Sequence, residues 1–477
     1  MKILIIGDNP SVTGGVCNYT RPLFEMLSRD NDIVYLYSSS RVNPEYDFSF
    51  KTRIIKEEKN VFKIINSVNL TKNYHNLDID IASERNDNVF EEFIKKNKFD
   101  VMHVHEIIGF SSNIINIAKK FKIKTYVTVH EYWWLCPHRV MVDFDRKICK
   151  GPADMRKCSY CVHSQRKLQP KGGYTKFRFA LKNQFPNIFN SISSFKGLIN
   201  QYKSEDSIKA SKEGLSFDNI KYDSFHDKEL EGAVERRLQA NIEALNLCDT
   251  VIGVSQSVKD ILIEYGVRAD KIIVQHIGSS IANQKISHTK KIDSANIVFG
   301  FIGGVGYYKG VHQFIEAYIN MPTNYKEKSQ VDVYGVYTDG YIRAITEDIL
   351  GLDSFTKKVK FHGRYDHNKI AEICNTIDIS VLPSLCADTA PQTIFESFNA
   401  DLPIIAPIVG GFPDFVVNDV NGLLYKSSSV DDLMMQMMKI IDNPSLIAKF
   451  SKNIPNTKTL DENVQELIKL YSIDLIC

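Results

Sequence analysis

The stretch ISVLPSLCADTAPQTIFESFNADLPIIAP, residues 379–407, decides the fold. Residues 379–383 form a short apolar run, read as a buried strand. A loop carrying Asp388 and Pro391 follows, up to Gln392. Residues 393–399 have helical spacing, and 403–407 form a second apolar strand. Strand, helix, strand over so few residues requires a crossover connection and therefore two parallel strands. Two acids, Asp388 and Glu396, stand eight positions apart at the loop and on the helix.

The same alternation extends outward in both directions. Upstream, 297–302, 331–334 and 359–362 read as strands, with helices over 310–319 and 367–375. In the first third, strands are expected at 2–6, 33–37, 100–105 and 124–130, with helices at 16–27, 90–96 and 114–121. Val16, Tyr19, Leu23 and Leu27 carry the first helix. Residues 136–235 break the rhythm with a cysteine cluster and a basic, aromatic stretch, and read as an insertion. It resumes with a helix at 238–247, a strand at 250–255, a helix at 258–265 and a strand at 272–276. The polar piece 282–295 reads as a linker. The expected architecture is α/β: two doubly wound Rossmann-like domains facing a cleft. Residues 1–281 form the N-terminal domain, 296–454 the C-terminal domain, and 455–477 a helix packing back on the first.

Composition bounds the function. The chain has 477 residues, enough at about 150 per domain for two or three domains. A formal net charge of +2 and no basic stripe exclude a dedicated nucleic-acid binder. No run approaches the roughly 20 apolar residues that span a bilayer. The opening MKILIIGDNP reads as a strand rather than a leader. A cytoplasmic protein is expected, with docking at an inner membrane face left open.

In open α/β sheets ligands bind beyond the carboxyl ends of strands. Four loops lie there. GDNPSVTGGV, residues 7–16, puts Gly14 and Gly15 at a helix start, where amides favour an anion. FIGGVGYYKGV, residues 301–311, places Gly303 and Gly304 in a turn and Lys309 before a helix. Backbone amides of such a turn approach a phosphate, and the lysine supplies a charge. The third loop carries Asp388, and the fourth is VGGFPD, residues 409–414. Each also has a plain structural reading. Thr393 and Glu396 fit a capping box, Asp388 suits a turn, and the glycines suit tight turns. Together the four loops suggest a cleft for a phosphate-bearing small molecule.

At this point the residues resemble a known group. In order, Gly303, Lys309-Gly310, Pro383-Ser384, Asp388 with Glu396, Gly410-Gly411-Phe412-Pro413-Asp414 and Asn421-Gly422-Leu423 resemble the motifs of retaining glycosyltransferases of family 4, which have the GT-B fold. HEYWWLCP, residues 130–137, and VIGVSQSVKDIL, residues 251–262, resemble that family's upstream blocks. The resemblance implies a sugar transferred from a nucleotide-diphosphate sugar to a hydroxyl of a glycan or lipid-linked acceptor, with retention, in surface polysaccharide synthesis. It implies that Glu396 holds the ribose and Asp388 faces the transferred sugar. The backbone at Thr389, Ala390, Pro391, Gln392 and Thr393 meets the diphosphate, and Lys309 neutralises it. His130 lies near the sugar and acceptor, and Gly14 and Gly15 close over the donor. No catalytic metal is required. Three departures stand out: Asp388 replaces a glutamate, Gly304 an arginine, and Asp414 a glutamate. An epimerase or hydrolase on the same fold, and a noncatalytic nucleotide-sugar-binding module, remain alternatives.

Two features lie outside that scheme. Cys136, Cys149, Cys158 and Cys161 crowd together, with one C-x-x-C pair, and are candidates for a structural zinc or four buried thiols. Residues 171–203 mix basic and aromatic side chains, as peripheral membrane segments do, although a lid is an equal reading.

Overall fold

The computed structural model describes residues 1–11, 15–38, 46–68, 74–166, 180–186, 222, 225–279, 282, 292–338, 340–351, 357–366 and 369–476. Gly14, most of the expected linker and most of 171–203 lie outside the described residues. The chain divides into two compact units. Unit 1 comprises Met1–Val254, Val258–Gln275 and Asn463–Cys477; unit 2 comprises Ser255–Ser257 and His276–Glu462.

Unit 1 is built on an eight-stranded sheet. Its strands are β1 (Lys2–Gly7), β2 (Asp32–Ser38), β3 (Arg53–Glu58), β4 (Val61–Ile65), β5 (Val101–Val104), β6 (Lys124–Val129), β7 (Thr250–Gly253) and β8 (Ile272–Val274). Their order is β3-β4-β2-β1-β5-β6-β7-β8. All neighbours are parallel except β3 against β4. The central strands are buried on both faces, which is why they read as unbroken apolar runs. β3, RIIKEE, has no fully buried residue, and its charges suit an edge. The same charges hide it from a search for apolar periodicity.

The insertion is shorter than the expected 136–235. The helix Lys228–Leu247 begins ten residues before 238, capped by Asp227, whose carboxylate accepts the Leu230 amide at 2.9 Å. A further helix, Met155–Arg166, lies within the insertion. Arg237 is 1% exposed, bonds Asp80 at 2.6 Å and the Trp133 carbonyl at 2.8 Å, and lies over the Trp133 ring. This buried cation ties the Tyr132–Trp134 turn to the long helix.

Unit 2 has six parallel strands: β9 (Ile297–Ile302), β10 (Ser329–Tyr334), β11 (Val359–Gly363), β12 (Ile379–Val381), β13 (Ile404–Pro407) and β14 (Gly422–Tyr425). The order is β11-β10-β9-β12-β13-β14. Counted within the unit, that is the 3-2-1-4-5-6 order of a doubly wound nucleotide-binding sheet, which reverses between its first and fourth strands. Phe299, Phe314, Tyr318, Val331 and Met437 belong to one apolar cluster, and Leu382, Ile394, Phe398 and Ile404 to another.

The helix Leu460–Ile476 starts with a capping box. The Thr459 amide bonds the Glu462 carboxylate at 2.8 Å, and the Glu462 amide bonds the Thr459 hydroxyl at 3.2 Å. From Asn463 onward this helix belongs to unit 1, where Tyr471 is fully buried.

Candidate active site

The strand order of unit 2 reverses between β9 and β12, and the two loops leaving these strands are bound to each other. Gly310 has a left-handed backbone, φ 68°, and caps the helix Val311–Asn320. A β-carbon there would stand 1.8 Å from the Pro383 carbonyl oxygen, so only glycine allows this approach. The Leu385 amide bonds the Tyr308 carbonyl at 2.8 Å, and the Ser384 hydroxyl bonds the same oxygen at 3.3 Å. These contacts bring the Lys309 ammonium to the Asp388 carboxylate at 2.7 Å. The Asp388 charge holds the lysine above its ordinary pKa, burial opposing it, so the ammonium stays charged at neutral pH.

A second glycine turn supports Asp388 from behind. The Gly411 amide bonds the Asp388 carbonyl at 2.7 Å. A β-carbon on Gly410 would meet that carbonyl oxygen at 2.3 Å, and one on Gly411 would meet the Thr389 carbonyl at 2.0 Å. The small residues of 409–414 thus approach the Asp388–Thr389 backbone closely.

A small pocket opens here, lined among others by Gly303, Lys309, Ser384, Asp388, Pro391 and Thr393. The helix Gln392–Asn399 has Pro391 as N-cap and no side-chain cap. Thr393 therefore lies inside the helix and does not form a capping box with Glu396. Glu396 is buried on this helix, and its charge adds to the burial that pushes Tyr365 and Cys374 up to about 12. It is not among the residues that line the pocket. Thr389 is buried, while Ala390 and Gln392 are partly exposed beside the pocket's Pro391 and Thr393. At Gly304 a β-carbon would stand 3.5 Å from Thr338 Cγ2, an ordinary contact, so a β-carbon fits there.

Unit 1 gathers a different set at the ends of β1, β5 and β6. Gly15 opens the helix Gly15–Leu27 and is exposed. His130 follows β6, and its Nε2 lies 3.1 Å from His105 Nδ1. His105 is 4% exposed and stacks on His103 at 3.9 Å between ring centres. His103 is held by the Tyr471 hydroxyl at 2.6 Å and the Thr128 hydroxyl at 2.7 Å. The Tyr19 ring meets both His105 and His130, and its hydroxyl donates to Asn463 at 2.7 Å. Burial lowers all three histidines, His103 to about 3 and His130 to about 4. At neutral pH they are uncharged hydrogen-bonding rings.

Beside them Glu106 accepts the amides of Ile107 and Ile108 at 2.9 and 3.1 Å and Arg139 at 2.8 Å. Arg139 also pairs with Glu131. Sequence reasoning missed His103, His105, Glu106 and Arg139. The signal was present for the first two: histidines two apart on a strand share one face. Arg139 had none, because it reaches Glu106 from a loop in a left-handed conformation, φ 72°.

The four clustered cysteines form no disulfide and are half-buried. They lie near one another: after burial, the charges of Cys136, Cys161 and Cys149 are what raise the Cys158 thiol. The Gly151 amide points at Cys149 Sγ, 3.5 Å away. Among the described residues no three His, Cys, Asp or Glu side chains are arranged to hold a metal ion. No described helix is long and apolar enough to cross a membrane.

Comparison with known proteins completes the picture. Residues 283–457 match the family described as Glycosyl transferases group 1. An uncharacterized glycosyltransferase of Methanocaldococcus jannaschii is 25% identical over 227 residues, 47% of this chain and 57% of that protein. The chain thus spans little more than half the length of that relative. Sucrose-phosphate synthase from Thermosynechococcus elongatus matches with a TM-score of 0.58 at 14% identity, over 100% of this chain and 99% of that one. Anabaena HepE in complex with UDP matches with a TM-score of 0.58 at 14% identity, over 99% and 100%. At such identity these solved structures speak to the fold alone, two parallel-sheet α/β domains of GT-B type.

Proposed function

We propose, from the premise that residues 283–457 form a glycosyl transferases group 1 domain on a GT-B fold, that this chain is a retaining glycosyltransferase. It moves a sugar from a nucleotide-diphosphate sugar to a hydroxyl of a glycan or lipid-linked acceptor, in polysaccharide synthesis in the cytoplasm. One observation carries the reading: the Lys309–Asp388 pair, 2.7 Å apart in a pocket at the strand-order reversal of unit 2. A neighbouring fold supports the donor class, since HepE has been solved with UDP and with UDP-glucose.

The chemistry follows from charge. Breaking a sugar–phosphate bond leaves positive charge on the sugar and negative charge on the leaving diphosphate. Lys309, the Gly304 amide and the first turn of the helix Gln392–Asn399 stabilise the diphosphate. Asp388 faces the sugar, where its negative charge offsets the developing cation. Glu396 holds the ribose hydroxyls, and His130 hydrogen-bonds the sugar or acceptor. A leaving phosphate oxygen takes the acceptor proton, so no protein nucleophile and no catalytic metal enter.

Two accessory proposals remain from the sequence. Cys136, Cys149, Cys158 and Cys161 would bind one structural zinc once their side chains turn toward a common centre; metal analysis of folded protein should find about one zinc, and metal-free folded protein refutes it. Residues 171–203 would contact an anionic membrane surface, read by vesicle flotation.

A panel of nucleotide sugars tests the main reading. A donor at 100 times its Kd stabilises by about 2.7 kcal/mol. Sugar transfer to an added acceptor separates a transferase from an epimerase or hydrolase, and binding without turnover would leave only the binding module.

A further inference from the structure

We propose that His105 is a positioning residue that fixes the tautomer of His130, placing the proton of His130 on Nδ1. The inference rests, for its catalytic meaning, on the glycosyltransferase reading above. Its structural half stands on unit 1 alone.

His105 Nδ1 lies 3.1 Å from His130 Nε2. The other nitrogen of His105, Nε2, is buried and has no hydrogen-bond partner among the described residues. A neutral imidazole carries one proton, on one nitrogen or the other. Placed on Nε2, the proton would leave a buried N–H with no acceptor, which folded proteins almost never tolerate. Placed on Nδ1, it leaves only an unpaired lone pair and makes a hydrogen bond to His130. His105 therefore donates, and His130 Nε2 accepts. His130 then holds its own proton on Nδ1.

The surroundings keep this arrangement in place. His103 stacks against one face of His105, and both of its own nitrogens are occupied, by Tyr471 and Thr128. The Tyr19 ring meets His105 at its edge, 5.6 Å between centres, and Tyr19 is anchored to Asn463. Asn463 and Tyr471 both belong to the C-terminal helix, which thus anchors Tyr19 and His103, the two rings packed against His105. Burial keeps His105 and His130 uncharged at neutral pH, so His130 is a donor there without being an acid.

Histidine-selective 15N labelling and two-bond proton–nitrogen correlation read the tautomers directly, with His130→Gln assigning the signal. Wild-type His130 should show the Nδ1–H form. His105→Asn, whose amide N–H replaces Nδ1–H, should retain it. His105→Leu should release it, shifting the population toward Nε2–H, and slow transfer about 3- to 10-fold at unchanged donor KM. An Nε2–H tautomer in the wild type, or an unchanged tautomer in His105→Leu, overturns the proposal. Should His105→Leu fail to fold, the wild-type and His105→Asn spectra still decide it. The tautomer is measured without any sugar. A correct tautomer in a protein that transfers nothing condemns the functional reading and leaves the positioning role intact.

Discussion

Replacing Lys309 by methionine separates a binding role from a structural one. The Lys309–Asp388 pair is short, but the lysine side chain is 49% exposed and the aspartate 21%. Water screens such a pair, and exposed ion pairs contribute about 0.2–1 kcal/mol. The loop itself is held by other contacts: the Gly310 approach to Pro383 and the hydrogen bonds of Leu385 and Ser384 to Tyr308. Methionine keeps most of the unbranched apolar stem and removes the charge. Lys309→Met should therefore move the folding free energy by less than about 1 kcal/mol. Donor binding should respond differently. A charge-assisted hydrogen bond to a phosphate is worth about 1.5–3 kcal/mol, so donor affinity or kcat/KM should fall roughly 10- to 100-fold. Asp388→Asn should act in the opposite sense on the bare nucleotide. It removes the carboxylate that competes for the ammonium, so UDP or its counterpart binds equally or more tightly while turnover falls. Calorimetric titration with nucleoside diphosphate, steady-state kinetics and urea melts on both variants provide the comparison. Lys309→Met with wild-type donor affinity, or with stability and affinity lost in parallel, refutes the assignment of this cation to the diphosphate.

Further outcomes follow from the same geometry. Gly310→Ala should destabilise unit 2 by more than about 2 kcal/mol in urea melts, because a left-handed backbone and a 1.8 Å clash coincide. Gly304→Arg should be accommodated beside Thr338 and tighten donor binding about tenfold by calorimetry, since a cation gains a diphosphate contact. Glu396→Gln should weaken donor binding roughly 10- to 100-fold by calorimetry. The buried histidines set an acid limit. Their folded pKa values, about 3 for His103 and about 4 for His130, lie below the unfolded value near 6.5. Their contribution is therefore complete above pH 6.5 and is lost as pH falls toward 4. Urea midpoints measured at pH 7.5 and pH 5 should show the drop, and His103→Gln should reduce it.

The alternation of apolar runs and amphipathic helices by itself determined two doubly wound units, because strands buried on both faces leave no polar positions to disguise them. It also put Asp388 in a loop at a strand end and Glu396 on the following helix. It did not show β3, whose charges belong to an edge. Nor did it show that the helix at 228 starts so early, since its first two turns are mostly polar around Leu230 and Val234. Whether Glu396 caps its own helix was undecidable locally, and only the turn at Pro391 removed that option. The pairings that make the candidate site came from the tertiary structure. Lys309 and Asp388 are 79 positions apart, and His105 and His130 are 25 apart. The reason is physical. Periodicity reports how each segment faces its own core, within a few residues. Which side chains meet at the sheet's end depends on strand order, and on close approaches such as Gly310 against Pro383, which form only when distant segments pack.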